Sequence, residues 1–143
     1  MPGKALVVDA NILIRAVLGK RVRQIIESNA DRVSFFIAEA VYCEAEEHIA
    51  RLVVQRGGDA DKALAFLNSL CRLMEFVGED MYGEFKIEAQ NRRDPEDWPA
   101  LALALALECP VWTEDTDFFG CGVATWTSDR IGSFFAERQE RAE

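Results

Sequence analysis

Carboxylates at the ends of apolar runs carry most of the chemistry this sequence offers. Asp9 follows the run Lys4–Val8, Asp115 and Asp117 follow Pro110–Thr113, and Asp97 precedes the run Trp98–Leu107. Glu44 lies inside the long stretch from Ala38 to about Gln55. Wound at about 100° per residue, that stretch sets Ile37, Val41, Ala45, His48 and Leu52 in one apolar stripe. Glu44 then projects about 60° from Val41, at the stripe's edge, and Glu47 about 120°, while Glu46 falls roughly opposite. An inward carboxylate is costly unless something pairs with it, and no matching cluster of Lys or His accompanies these acids. Hard oxygen donors in this number suit Mg²⁺ or Mn²⁺ better than zinc. Such an ion polarises a phosphodiester and acidifies water toward hydroxide.

Other chemistries have less support. A single histidine, His48, removes the zinc patterns that need two, and it reads as a packed residue on the apolar stripe. Four cysteines without a C-x-x-C pair read as reduced packing residues of a cytoplasmic protein. There is no G-x-S-x-G turn and no phosphate-binding G-x-x-x-x-G-K-S/T loop. Trp98, Trp112 and Trp126 read as core or rim residues. Arg15, Arg92 and Arg93 stand near the predicted site loops as candidate phosphate contacts, with solvated surface charge as the alternative. Each acid has a plain reading too: Asp9 as a helix cap, Glu44 as a surface acid, Asp97 as a partner of the helix dipole, Asp115 and Asp117 as turn formers. What those readings leave unexplained is their joint occurrence at one sheet edge.

The elements that must position these acids alternate. Strands are expected at Lys4–Val8, Val33–Ile37, Leu73–Val77, Pro110–Thr113 and Val123–Trp126. Helices are expected at Asn11–Leu18, Val22–Ser28, Ala38 to about Gln55, from an Asp59 cap to Leu70, and Glu79–Asn91. Trp98–Leu107 alternates Ala and Leu with period two, as a strand would. Both are strong helix formers and Pro99 suits a first turn, so a helix buried on all sides is expected. Ser128 is expected to cap a last helix reaching about Glu140. Strands alternating with helices imply a parallel sheet between helical layers. Its ligands bind beyond the strands' carboxyl ends, where strand order switches. The 143 residues suit one domain, residues 1–143. No run of about 18 apolar residues spans a membrane, and the opening apolar run is too short for a signal peptide. A net charge of −9 disfavours nucleic-acid binding through a broad basic surface, though not a metal site gathering acids.

In four places taken together the chain resembles the PIN domain, the nuclease fold of VapC-like toxins and several RNA-processing enzymes. These are Val7-Val-Asp-Ala-Asn-Ile-Leu13, Ala40-Val-Tyr-Cys-Glu44, Asp97-Trp-Pro-Ala-Leu-Ala-Leu-Ala, and Trp112-Thr-Glu-Asp-Thr-Asp-Phe118. The resemblance implies a three-layer α/β/α sandwich with a central, mostly parallel sheet. It implies Asp9, Glu44, Asp97 and Asp115 as catalytic and metal-binding acids, Asp117 as a further site acid, and Asn11 and Thr113 as supporting polar residues. Asp94 and Glu96 compete with Asp97 for the third position. The implied activity is Mg²⁺- or Mn²⁺-dependent ribonuclease, with RNA as substrate, an antitoxin protein as partner and a homodimer as assembly. Phe134, Phe135 and Ile25 are the dimer contacts expected. Two other readings stay open: a catalytically silent PIN-like interaction module, and an aspartyl-phosphate phosphatase using Asp9. The second is weakened by Asn11, where such enzymes usually carry another Asp.

Overall fold

Lys4–Val8 (β1), Val33–Ala38 (β2), Met74–Val77 (β3), Val111–Trp112 (β4) and Thr125–Trp126 (β5) form one sheet in a computed structural model that describes residues 4–92 and 97–137. The order is β3-β2-β1-β4-β5 and every pair is parallel, with Leu6 opposite Phe35, Ile37 opposite Phe76, and Val8 opposite Trp112. Parallel neighbours require crossovers; residues 113–124, between β4 and β5, carry only the 3₁₀ turn Thr116–Phe118, and the other crossovers and the stretch after β5 carry α-helices. These helices are Ala10–Leu18 (α1), Arg21–Asn29 (α2), Glu39–Gln55 (α3), Ala60–Leu70 (α4), Glu79–Tyr82 (α5), Lys86–Arg92 (α6), Trp98–Leu107 (α7) and Ile131–Ala136 (α8). The result is the expected α/β/α arrangement, with a sheet that is parallel throughout.

Burial follows composition. Leu6, Val7 and Val8 are all inaccessible to solvent, as a central strand covered on both faces requires. Trp98–Leu107 is the helix expected from its Ala/Leu content, and five consecutive residues, Ala100 to Ala104, are buried. Period-two alternation there is incidental: both residue types are apolar, so every face of α7 is suited to the interior. Trp112 is wholly buried beside Phe35, its indole N–H donating to Ser128 Oγ at 3.1 Å.

Several boundaries differ from expectation. The stretch Glu79–Asn91 divides into α5, a 3₁₀ turn at Gly83–Phe85, and α6. Gly83 is a poor helix former, and Tyr82 is pinned in the core against Trp98, centroids 5.7 Å apart. Cys71–Leu73 is likewise a 3₁₀ turn, so the third strand starts at Met74. Ser128 does not cap the last helix, which begins at Ile131. Instead its hydroxyl accepts from Trp112, and its backbone N–H donates to Glu114 Oε2 at 2.9 Å. The expected end near Glu140 lies outside the described residues. Phe134, expected at a dimer contact, is buried against Trp126, because the apolar side of α8 closes the core over the β4–β5 edge. Phe135 and Ile25 are half-buried against that core.

Candidate metal centre

Between β1 and β4 the path of the chain reverses: from β1 it proceeds through β2 to β3 on one side, and from β4 to β5 on the other. Loops leaving the carboxyl ends of two such strands diverge and leave a crevice. Asp9 is the first residue after β1 and Thr113 the first after β4. Pairing of Val8 with Trp112 sets them side by side, and Asp9 N–H donates to Trp112 O at 3.1 Å.

The crevice is a cavity of about 240 Å³ whose lining includes Asp9, Asn11, Glu44, His48, Asp97 and Asp115. Among the described residues no Lys or Arg lines it. Four elements contribute: the end of β1 with the start of α1, the middle of α3, the start of α7, and the turn after β4.

Asp9 is held by a network rather than by one cap. Its Oδ1 accepts Ala10 N–H at 2.8 Å, which is the helix cap of its plain reading. Its Oδ2 accepts Asn11 Nδ2 at 3.1 Å and Thr113 Oγ1 at 2.8 Å. Thr113 Oγ1 also accepts from Asn11 Nδ2 (2.9 Å) and from Asp115 N–H (3.0 Å). One donated and two accepted bonds fill the hydroxyl's capacity, and Thr113 is fully buried. Asn11 Oδ1 accepts Glu114 N–H at 2.9 Å. Asn11 and Thr113 therefore tie the β1 and β4 ends together and aim the Asp9 carboxylate.

The other acids arrive differently. Glu44 lines the cavity from the middle of α3 but is exposed, more so than Glu46, and its carboxyl is raised above the usual glutamate range. Burial is the main cause, followed by the charges of Asp9 and Asp97; His48 pulls the other way. Asp97 stands at the N-cap position of α7 yet makes no capping hydrogen bond to it. Capping thus does not explain why an acid is there. Asp115 accepts Asp117 N–H at 2.9 Å, so it shapes the turn and lines the cavity at once.

Not every candidate residue joins this group. Asp117 is exposed and not part of the lining. Arg15 lines a neighbouring cleft instead. Arg92 bridges Glu88 to the loop after β4, donating to Cys121 O at 3.0 Å, so its guanidinium is a brace. Arg93, Asp94 and Glu96 lie outside the described residues. His48, expected to be packing, lines the cavity, because it is one turn beyond Glu44 on the same face of α3. That four-residue spacing was the signal available in the sequence.

Four carboxylates around a cavity that no Lys or Arg lines among the described residues are the donor chemistry of a hard divalent cation. Among the described residues no three His, Cys, Asp or Glu side chains stand preformed around one point. Mg²⁺ tolerates this arrangement, since it keeps several waters and takes only one or two carboxylates directly. The residues fit such an ion, with Asp9 the donor most firmly aimed.

A search of curated protein sequences returns no match. Among solved structures, VapBC2 from Rickettsia felis, bound to a DNA fragment from its promoter, superposes with a TM-score of 0.63 at 15% identity, covering 86% of this chain and 98% of that one. FitAcB from Neisseria gonorrhoeae gives a TM-score of 0.59 at 17% identity, covering 86% and 97%. At such identities the likeness is one of fold. The family model described as the PIN domain matches residues 7–135, nearly the whole chain. With that match and the α/β/α fold in agreement, the chain belongs to the PIN domain family.

Proposed function

We propose that the protein is a Mg²⁺- or Mn²⁺-dependent endoribonuclease acting as the toxin of a toxin–antitoxin pair. One observation carries the proposal: Asp9, Glu44, Asp97 and Asp115 line a single cavity, with no Lys or Arg beside them among the described residues, at the switch point of a parallel sheet. Asp9 would be the principal ligand, with Glu44, Asp97 and Asp115 around it and Asp117 at the rim. When bound there, the cation supplies polarisation of the phosphodiester and a lowered pKa for water.

The protein's own contribution is placement. Asn11 and Thr113 hold Asp9 in one orientation before substrate arrives, so little reorganisation remains for the reaction. Glu44, raised in pKa, gains stability whenever a cation offsets Asp9 and Asp97. The partners belonging to this reading are an RNA substrate, an antitoxin protein and a second copy of the chain. If a homodimer forms, α8 does not offer Phe134 to it; exposed apolar side chains lie elsewhere, among them Phe76, Met81 and Ile87.

RNA cleavage with Mg²⁺ or Mn²⁺, with and without EDTA, tests the reading. Chelator-sensitive cleavage that falls by most of its rate in Glu44→Gln, and little in Glu46→Gln, is the expected outcome. No metal-dependent cleavage on varied RNAs overturns it, and equal losses from the two glutamates would misplace the site on α3.

A further inference from the structure

Beside the acidic cavity, and sharing Ile14 of α1 with it, lies a cleft of about 310 Å³ of opposite character. Arg15, Lys20, Arg21 and Arg56 line it, and among the described residues no acid does. In a chain carrying 25 acidic and 16 basic residues, four cations on one cleft, of which only Arg21 meets an acid, is a marked segregation. Arg15, Lys20 and Arg21 come from the last turn of α1 and the start of α2, which follow each other directly, and Arg56 joins them from the C-terminal cap of α3. Arg21 pairs with Asp129 at 3.0 Å and donates to Ser128 O. Arg15, Lys20 and Arg56 form no ion pair among the described residues and are exposed. The first turn of α2 receives no side-chain cap from Lys20.

We infer that this cleft seats the phosphates of the RNA strand that flank the scissile one. The inference rests on the nuclease reading above and adds to it how an acidic protein holds a polyanion. Metal-binding acids must repel substrate until an ion loads, so attraction has to come from an adjoining surface. Along α1, Asp9 and Arg15 are six residues apart, about 9 Å of helix rise. A strand crossing that helix would meet the acid cavity at one end and the cations at the other. The cations act on binding and position, not on the reacting bond.

Binding and cleavage, measured separately, test this. A fluorescent single-stranded RNA oligonucleotide is titrated with the full chain in EDTA across a salt series, and cleavage is followed in Mg²⁺. Lys20→Glu and Arg56→Glu, exposed and alone or combined, should weaken binding. They should also flatten the log–log salt dependence by about 0.7 for each phosphate that is no longer neutralised. In Mg²⁺ they should raise KM and leave kcat nearly unchanged. Arg72→Glu, on the 3₁₀ turn before β3, is the charge-matched control and should behave as wild type. If wild type cleaves RNA but the cleft variants bind and cleave like it, the cleft inference fails and the nuclease reading stands. If wild type binds RNA through the cleft without cleaving it, the cleft stands and the nuclease reading fails. Absence of both binding and cleavage overturns both. If a polyglutamate peptide of equal charge competes as well as the oligonucleotide, the cleft receives an acidic protein segment, and the inference is overturned.

Discussion

Thr113 and Glu44 show how individual side chains prepare this site. Thr113 contributes three hydrogen bonds from a fully buried hydroxyl, so its isostere isolates their worth. Thr113→Val keeps the shape but leaves an Asn11 N–H and the Asp115 N–H short of an acceptor. It should destabilise the protein by about 1–3 kcal/mol in urea melts, whereas Thr113→Ser, which keeps the hydroxyl, should avoid most of that cost. Glu44 gives a pH dependence of opposite sign to that of a salt-bridged acid. Its folded carboxyl is raised, so the folded state holds the proton more tightly than the unfolded one. Stability contributed by the protonated form is present below the ordinary glutamate range and is lost as pH rises through the raised value. In EDTA, Glu44→Gln should therefore flatten the decline in stability on the alkaline side of that range. An unchanged profile would mean that Glu44 does not feel Asp9 and Asp97.

At the scale of elements, the turn after β4 is held from outside by α6. Arg92 reaches from the last turn of α6 to Cys121 O, beside Gly122. Gly122 has φ +95°, and a Cβ there would run into the Arg92 guanidinium. Gly122→Ala combines backbone strain with that collision and should cost more than about 1 kcal/mol. Arg92→Ala in the same background should recover part of the loss, a non-additivity that denaturant melts of the four proteins will read. Simple addition of the two effects would show that the brace and the turn are independent. The same turn carries Asp115, so loosening it should also weaken the cavity's hold on a cation.

For the molecule as a whole, the acids of the cavity repel one another, and a cation bound among them would relieve that repulsion. Mg²⁺ binding only the folded state should stabilise wild type by about 2.7 kcal/mol at a hundredfold excess over its dissociation constant. Asp97→Asn should be neutral or modestly stabilised in EDTA, since it removes a like charge, and should gain much less from Mg²⁺. Thermal melts of both proteins with EDTA and with Mg²⁺ check this. An Asp97→Asn protein clearly weaker than wild type in EDTA would make Asp97 a structural residue. Equal gains in Mg²⁺ would place the cation elsewhere, with Asp94 and Glu96 the next acids to replace.

The alternation of strands and helices, the burial of α7 and the position of acids at strand ends were all legible in the sequence. They depend on local periodicity and on which residues punctuate it, and both are written along the chain. Asp9, Glu44, Asp97 and Asp115 stand out that way, and the family resemblance adds the support of Asn11 and Thr113. Tertiary structure decided what lies beside what. Pairing of β1 with β4 brought Thr113 against Asp9 across 104 positions. Packing of α3 on α1 turned His48 toward the acids, although its stripe had marked it for the core. The same packing drew Arg15 into a cation-lined cleft, while Arg92 became a brace and Ser128 a partner for Trp112. Periodicity tells which face of an element is buried; it carries no information about the neighbour that buries it, because that is settled by long-range packing of the whole sheet.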